Sequence, residues 1–208
     1  MRNGFIYEVI DRLIESLNYL NLVELFKFLA KRLTRQNAKK EELISNVNVS
    51  IDIFIVLKWL VVLFIWLNNI TGAFWTLLTF YLIWSNLHTY FYYHLWKKEK
   101  NGGLEKMRRR FVSLVLAISF SNVAFAYLYS KIFSENFAWK TGSAPVDLSS
   151  LLYSFSQSLF IGSENVYPVT LLGEFLTVLQ LIISFIFVVV ILSASLPVQA
   201  EVKDKNGI

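Results

Sequence analysis

The chain has 208 residues, of which 55% are hydrophobic and 17% charged, and its net charge is +5. This composition, with a mean hydropathy of +0.50, is typical of integral membrane proteins. The absence of cysteine excludes disulfides and thiolate metal sites. Since cytoplasmic loops of membrane proteins are generally basic, the positive charge does not require a nucleic-acid partner. No short basic segment precedes the first apolar run, so we do not expect a removable signal peptide.

Residues 1–49 are predicted to form cytoplasmic amphipathic helices. Apolar side chains recur there at helical spacing, and the second half of the segment carries the basic residues Lys27, Lys31, Arg32 and Arg35. Two interpretations stay open. The helices dock a cytoplasmic partner protein, or they lie on the inner leaflet and are held there by anionic membrane lipids. In both interpretations the four basic side chains bind the partner or the lipid.

Four apolar stretches are long enough to cross a bilayer, which requires about 20 residues. They cover about residues 51–67, 70–96, 111–133 and 171–196. The first two are so close that residues 50–97 are predicted to form a transmembrane helical hairpin. Lys58 interrupts the first stretch, and its side chain is expected to snorkel to the nearby cytoplasmic edge.

The distribution of basic residues predicts the orientation in the membrane. Residues 1–50 hold eight Lys or Arg and residues 97–110 hold seven, whereas the turn at Asn68-Asn69 holds none. By the positive-inside rule, both termini and the basic loop 98–110 lie in the cytoplasm. The protein is therefore expected in a plasma or inner membrane, with 197–208 as a short cytoplasmic tail.

The segment between the third and fourth spans predicts a re-entrant pore loop. A short apolar helix over 149–159, with Ser149 or Ser150 as its N-cap, leads to a polar tip after Gly162. Tyr167-Pro168 breaks the chain before the last span. Backbone that enters a membrane without crossing it survives only when it is buried in protein or lines a water-filled cavity. The segment therefore indicates a conduction path.

This segment resembles the pore module of potassium channels, whose consensus runs roughly YFSFVTLTTVGYGDIYPVTPLGKLLTVLE. Residues 152–155 fall on the start of the pore helix, 166–170 on IYPVT, and 172–180 on LGKLLTVLE. The match covers about 45 of the 208 residues. The resemblance implies a homotetramer, with four subunits around one pore.

The filter differs from that family. Where the family has Thr-Val-Gly-Tyr-Gly-Asp, this chain has Phe160, Ile161, Gly162, Ser163, Glu164 and Asn165. Stacked carbonyl rings need glycines at strained backbone angles, so potassium selectivity is not expected. In a tetramer, Glu164 would form a carboxylate ring that favours monovalent or divalent cations. Phe160 and Ile161 would form an apolar constriction below it.

The last span contributes the predicted inner wall. Ser184, Val188, Ile191 and Ser195 share one helical stripe and are predicted to line the inner vestibule. A stripe that packs subunits together would have the same composition.

The sequence thus predicts an all-α integral membrane protein with four transmembrane helices and a re-entrant pore loop between spans three and four, within a pore module over 111–196. The leading hypothesis is a homotetrameric, cation-permeable channel. The alternative is a non-conducting scaffold or sensor that recruits a cytoplasmic effector protein. By size and span count, the chain is similar to membrane subunits of bacterial anti-phage systems such as Kiwa, which suggests that setting for the alternative. No nucleophile–base pair or ligand cluster indicates an enzyme, a cofactor or a metal site.

Overall fold

The computed structural model describes residues 4–34, 39–96, 104–140 and 144–191, and these are mostly helical. Three helices are long and apolar enough to cross a membrane, over Glu41–Leu67, Phe111–Ile132 and Leu171–Val188. The prediction of a membrane-embedded helical protein is confirmed at this level. The predicted tail 197–208, residues 98–103 of the predicted loop and the basic residue Arg35 lie outside the described residues.

The N-terminal segment is a helical hairpin. Helix α1 (Phe5–Asn18) and helix α2 (Leu22–Leu33) are joined by a short turn. Asn21 caps α2, because its side-chain oxygen accepts a hydrogen bond from the backbone of Val23. The two amphipathic helices predicted from the apolar periodicity are both present, and α2 packs along the first long helix.

Helix α3 (Lys40–Leu67) and helix α4 (Ala73–Phe91) form the next hairpin, and α4 continues as a π-helical turn over Tyr92–Trp96. Helix α3 begins well before the predicted span at 51. Hydropathy marks where lipid can contact the chain, whereas the backbone hydrogen bonds of the helix continue into the polar N-terminal part. Asn68 ends α3 and donates to the carbonyl of Phe64 at 2.8 Å.

Helix α5 (Leu104–Tyr127) continues as a π-helical turn over Leu128–Ile132. After a short 3-10 turn come strand β1 (Phe137–Trp139) and helix α6 (Val146–Ser158). Strand β2 (Val166–Pro168) and helix α7 (Leu171–Phe185) follow, and α7 ends in a π-helical turn over Ile186–Ile191.

Helix α5 is the central helix of the subunit. Within its apolar window 61% of the residues are buried, compared with 22% for α3 and 33% for α7. Aromatic side chains of α5 and α6 fill the core, and the largest fully buried ones are Tyr127, Tyr129, Tyr153, Phe120 and Phe125. The two outer long helices therefore keep wide apolar faces for lipid or for other subunits.

Lys58 does not snorkel as the sequence predicts. Its side chain is only 4% exposed, and its ammonium group donates to the side-chain oxygen of Asn86 on α4. The same nitrogen lies 4.5 Å from the ring centroid of Phe120 on α5. An acceptor and an aromatic face inside the helix bundle thus replace the water at the membrane surface that snorkelling would reach.

Candidate functional site

The two ends of the segment that contains α6 lie next to each other. Strands β1 and β2, which precede and follow it, pair antiparallel, so that Phe137 faces Pro168 and Trp139 faces Val166. Between them α6 runs antiparallel to α5. Its start contacts Lys131 near the end of α5, and Ser158 at its end contacts Asn122. The chain therefore advances along α5 by about 16 Å and then turns back.

The start of α6 differs from the sequence prediction. The helix begins at Val146, after Pro145, and no side chain caps it. Ser149 donates to the carbonyl of Ala144 at 2.9 Å, and Ser150 donates to that of Asp147 at 2.8 Å. The prediction that Ser149 or Ser150 is the N-cap is therefore wrong. Both hydroxyls lie within the helix and satisfy carbonyl groups of its first turns.

An ion pair holds the start of α6 against the rest of the subunit. The Lys131 ammonium lies 2.8 Å from the Asp147 carboxylate, which also accepts a 3.2 Å hydrogen bond from the Trp66 indole of α3. Burial alone would raise the pKa of Asp147, but the bonds from Lys131 and Trp66 outweigh it. The pKa of this carboxyl therefore lies below its usual value.

We expect this carboxylate to stabilise the fold at neutral pH and not in strong acid. A depressed pKa adds stability above the unfolded value of about 3.9, and this stability is lost as the pH falls through the folded value. Asp147→Asn should therefore lower the free energy of unfolding by less than about 1 kcal/mol at about pH 7, because half of the carboxylate is exposed. At a pH below both values, thermal unfolding should no longer distinguish this variant from the parent. A difference of equal size at both pH values would contradict the assignment.

A buried hydrogen-bond network joins α5, α6 and α7 in the middle of the site. The Gln180 amide donates to the carbonyl and the hydroxyl of Ser154 at 2.8 and 2.7 Å, and its oxygen accepts from the Tyr129 hydroxyl at 2.7 Å. Asn122 donates to the Ser158 hydroxyl at 3.0 Å, and its carbonyl accepts from Ser154 at 2.8 Å. These five residues fix the depth and the rotation of α6.

A glycine allows α7 to approach the turn before β1. A Cβ atom added at Gly173 would lie 2.5 Å from the carbonyl oxygen of Asn136, so any side chain there would displace the backbone. Thr170 caps α7 by accepting from the Gly173 amide, and its hydroxyl donates to the Asn136 side chain at 2.7 Å. The predicted helix start near Thr170 is confirmed, and it is tied to the same turn.

The loop after α6 brings the six predicted filter residues together on one exposed turn. Its backbone is left-handed at Phe160 (φ 59) and at Gly162 (φ 77), and the amide of Phe160 donates to the Gln157 carbonyl at 3.0 Å. Phe160 and Ile161 are 52% and 74% exposed. Ser163 is half-buried, and Glu164 and Asn165 are exposed. Most side chains of the predicted filter therefore stay exposed on the single chain.

The four residues of the predicted inner-wall stripe do not share one environment. Ser184 is 4% exposed and packs inside the subunit, and Val188 is half-buried. The side chain of Ile191 and all of Ser195 lie outside the part of the chain that the structure describes. The face of α7 available for a vestibule or for another subunit is the exposed one, lined by Phe175, Val178, Ile182 and Phe185.

The basic residues of α2 are only partly free for binding. Lys27 forms a 2.8 Å ion pair with Glu24, and its ammonium lies 3.8 Å from the ring centroid of Tyr93. Lys31 and Arg32 are exposed at the end of the helix. Lys27 thus attaches the hairpin to α4, while the other two can reach a partner or a lipid headgroup.

Sequence reasoning missed the two side chains at the centre of the network, Asn122 and Gln180. The signal was present, because each is a neutral polar residue in an otherwise apolar span, where a polar group needs a partner. Within the described ranges, no group of three His, Cys, Asp or Glu side chains could hold a metal ion.

Comparisons with protein-family models, with curated proteins and with solved structures find no match to this chain. The likeness to potassium-channel pore modules therefore stays a prediction from the residues that carry it. The functional argument rests on the geometry of the chain itself.

Proposed function

We propose that this chain is one subunit of a homotetrameric, channel-like membrane protein that passes cations without selecting potassium. In this proposal α6 and the loop after it are a re-entrant pore loop between spans three and four. The observation that carries the proposal is the pairing of β1 with β2 on either side of α6. A segment whose two ends meet, and whose middle advances by about half of a 30 Å hydrocarbon core, has the geometry of a pore loop.

The second of the four spans in this proposal is α4 with its π-helical extension. Residues Ala73–Trp96 are 24 in number and rise by about 36 Å, which is enough to cross the hydrocarbon core. The helix packs on α3 and on α5. Four spans place both termini on one side, and the basic residues make that side the cytoplasm.

The apolar surface that one chain leaves exposed supports an assembly of several copies, and the number four rests on the resemblance to potassium-channel pore modules. The exposed side of α6 is apolar and includes Leu148, Leu152, Phe155 and Leu159. Together with the exposed face of α7, this surface is continuous with the loop. Other copies around a common axis would cover it and would enclose a pore that one copy cannot form.

Two features support cation passage. The C-terminal end of α6 carries the negative end of the helix dipole and points to the loop. Glu164 is exposed on the returning strand of the loop, so that four copies would set a ring of carboxylates above Phe160 and Ile161. Such rings favour cations over anions.

The experiment is ion flux through the purified protein in liposomes, with potassium, sodium, calcium and chloride gradients tested separately. We expect cation flux, and we expect Glu164→Gln to lower the preference for cations over chloride about tenfold, which corresponds to about 1.4 kcal/mol of lost attraction. Glu135→Gln is the matched control, because Glu135 is an exposed acid of the turn before β1 and lies outside the loop. Equal effects of the two variants would contradict a role for the Glu164 ring.

A non-conducting scaffold or sensor that recruits a cytoplasmic effector is the second candidate. The observation that favours it is the apolar pair Phe160 and Ile161 at the position of the filter, which would keep water out of the pore. A liposome that stays tight with the parent and with Phe160→Ala would support the scaffold over the channel.

A further inference from the structure

The turn of the N-terminal hairpin lies far below the cytoplasmic ends of the helices on which it packs. Asn21, only 2% exposed, accepts a 2.9 Å hydrogen bond from Ser85 and donates to Thr89 at 2.7 Å. The Tyr81 hydroxyl donates to the carbonyl of Leu20 at 2.6 Å. All three partners lie on α4. Toward the other end of α1, Asp11 accepts from the Trp96 indole at 2.7 Å.

The depth of this turn can be measured along α3. Asp52 and Arg109 form an exposed 2.9 Å ion pair, which marks the inner polar boundary of the helix bundle. Lys58 lies six residues farther along α3, or about 9 Å deeper. It is bonded to Asn86, the neighbour of the Ser85 that holds Asn21. The turn of the hairpin is therefore about 9 Å below the polar boundary.

The distribution of charged residues along the hairpin agrees with a turn at that depth. Residues 16–23 carry no charge and are bounded by Glu15 and Glu24. Within this uncharged stretch, Tyr19 is 91% exposed and Leu20 is 64% exposed. The apolar surface of a leucine and of a tyrosine ring, exposed together at a turn, is costly in water and favourable in hydrocarbon.

The backbone at the turn also meets the requirement of hydrocarbon, where unpaired polar groups are costly. The amides of Tyr19, Leu20 and Asn21 donate to carbonyl groups of the last turn of α1. The carbonyl of Leu20 accepts from Tyr81, and the amide of Val23 donates to the Asn21 side chain. A turn exposed to water has no need for this pairing.

We infer that the α1–α2 hairpin enters the inner leaflet as a second re-entrant element, with Tyr19 and Leu20 in contact with lipid acyl chains. This differs from a helix lying flat on the surface, since α1 stands steeply and only its turn reaches the hydrocarbon. The assignment to the inner leaflet rests on the orientation given under the proposed function. The insertion itself rests on packing against α3, which is long and apolar enough to cross a membrane.

The test uses the absence of cysteine from the chain, because a single introduced cysteine then carries the only nitroxide label. Tyr19→Cys and Phe5→Cys are compared in the full chain in liposomes. Both sites are highly exposed, so labelling should preserve the fold. The measurements are collision rates with oxygen, which concentrates in hydrocarbon, and with a nickel chelate, which stays in water.

We expect oxygen collisions to dominate at position 19 and nickel-chelate collisions at position 5, with a several-fold difference in the ratio of the two rates. Equal ratios at both positions would indicate a helix flat on the surface and would overturn the inference. Frequent chelate collisions at position 19, or protection from both reagents by a neighbouring copy, would also overturn it. The label readout is independent of ion flux, so a chain that conducts nothing can still hold its hairpin in lipid.

Discussion

Gln180→Met should destabilise the fold by about 3 kcal/mol and, in the proposed channel, abolish ion flux, even though methionine nearly keeps the volume of glutamine. The side chain of Gln180 is 1% exposed and holds Tyr129 and Ser154 through hydrogen bonds. Methionine leaves the Tyr129 hydroxyl and the Ser154 carbonyl without these partners. Each buried polar group that loses its partner costs about 1–3 kcal/mol.

The loss of flux has a separate cause from the loss of stability. Helix α6 is held at its depth by the network of Gln180 and Asn122, and the loop follows directly from its end. Without the network, α6 can shift along α5, and the loops of the four copies in the proposed channel would no longer align.

The matched control is Ser156→Ala, since Ser156 is a half-buried serine of the same helix that is not part of this network. Thermal unfolding in detergent and liposome flux should both be close to the parent for this control. If Gln180→Met unfolds at the parental temperature and still conducts, the network does not position the loop. If Ser156→Ala loses flux to the same extent, the effect belongs to α6 in general.

The positions of the long helices could be predicted from hydropathy, but their ends could not. Three of the four predicted apolar runs fall on the helices that are long and apolar enough to cross a membrane. The beginning of α3 at Lys40 lies in polar sequence, where lipid gives no signal and only backbone hydrogen bonding decides. The predicted start of α6 was wrong for a related reason. Pro145 fixes the chain before Val146, and the serines that resemble a cap lie one turn inside.

The sequence predicted which continuous segment forms the candidate site, but it did not predict the contacts between helices that position this segment. The loop residues are contiguous, so their grouping follows from the sequence alone. The network partners come from three helices, and the pairing of Asn122 with Gln180 spans 58 positions. A polar residue in an apolar span indicates that a partner exists, but the packing of the helices decides which one. Ser184 shows the limit of this kind of prediction. A helical stripe in the sequence does not tell which side of the helix packs against the rest of the chain.

Lys58 is the residue whose observed contact differs most from the one predicted from the sequence. Its distance from the cytoplasmic edge predicted snorkelling, but the docked hairpin and α4 cover it. Val23 of α2 lines the same small cavity as Lys58 and Asn86, which has a volume of about 30 Å³. Once the hairpin covers this place, the amine is buried and depends on the acceptor that Asn86 provides.

Asn86→Leu should therefore destabilise the fold by about 3 kcal/mol, because it leaves a buried amine without its hydrogen-bond acceptor. The double variant Lys58→Met with Asn86→Leu should recover most of that loss, since a buried polar pair can be replaced by apolar side chains of similar size at little cost. Unfolding in detergent, followed by circular dichroism for the parent, the two single variants and the double variant, measures the coupling.

The cycle also separates the lysine from the second role of Asn86. The Asn86 amide donates to the carbonyl of Ala117 on α5 at 2.9 Å, and this bond is lost in the single Asn86→Leu variant and in the double variant alike. A double variant as unstable as Asn86→Leu would therefore assign the loss to the Ala117 contact. Recovery in the double variant would assign the loss of stability to the Lys58 side chain left without an acceptor. The Lys58–Asn86 pair would then be a contact that joins α3 and α4 at the level of the hairpin turn.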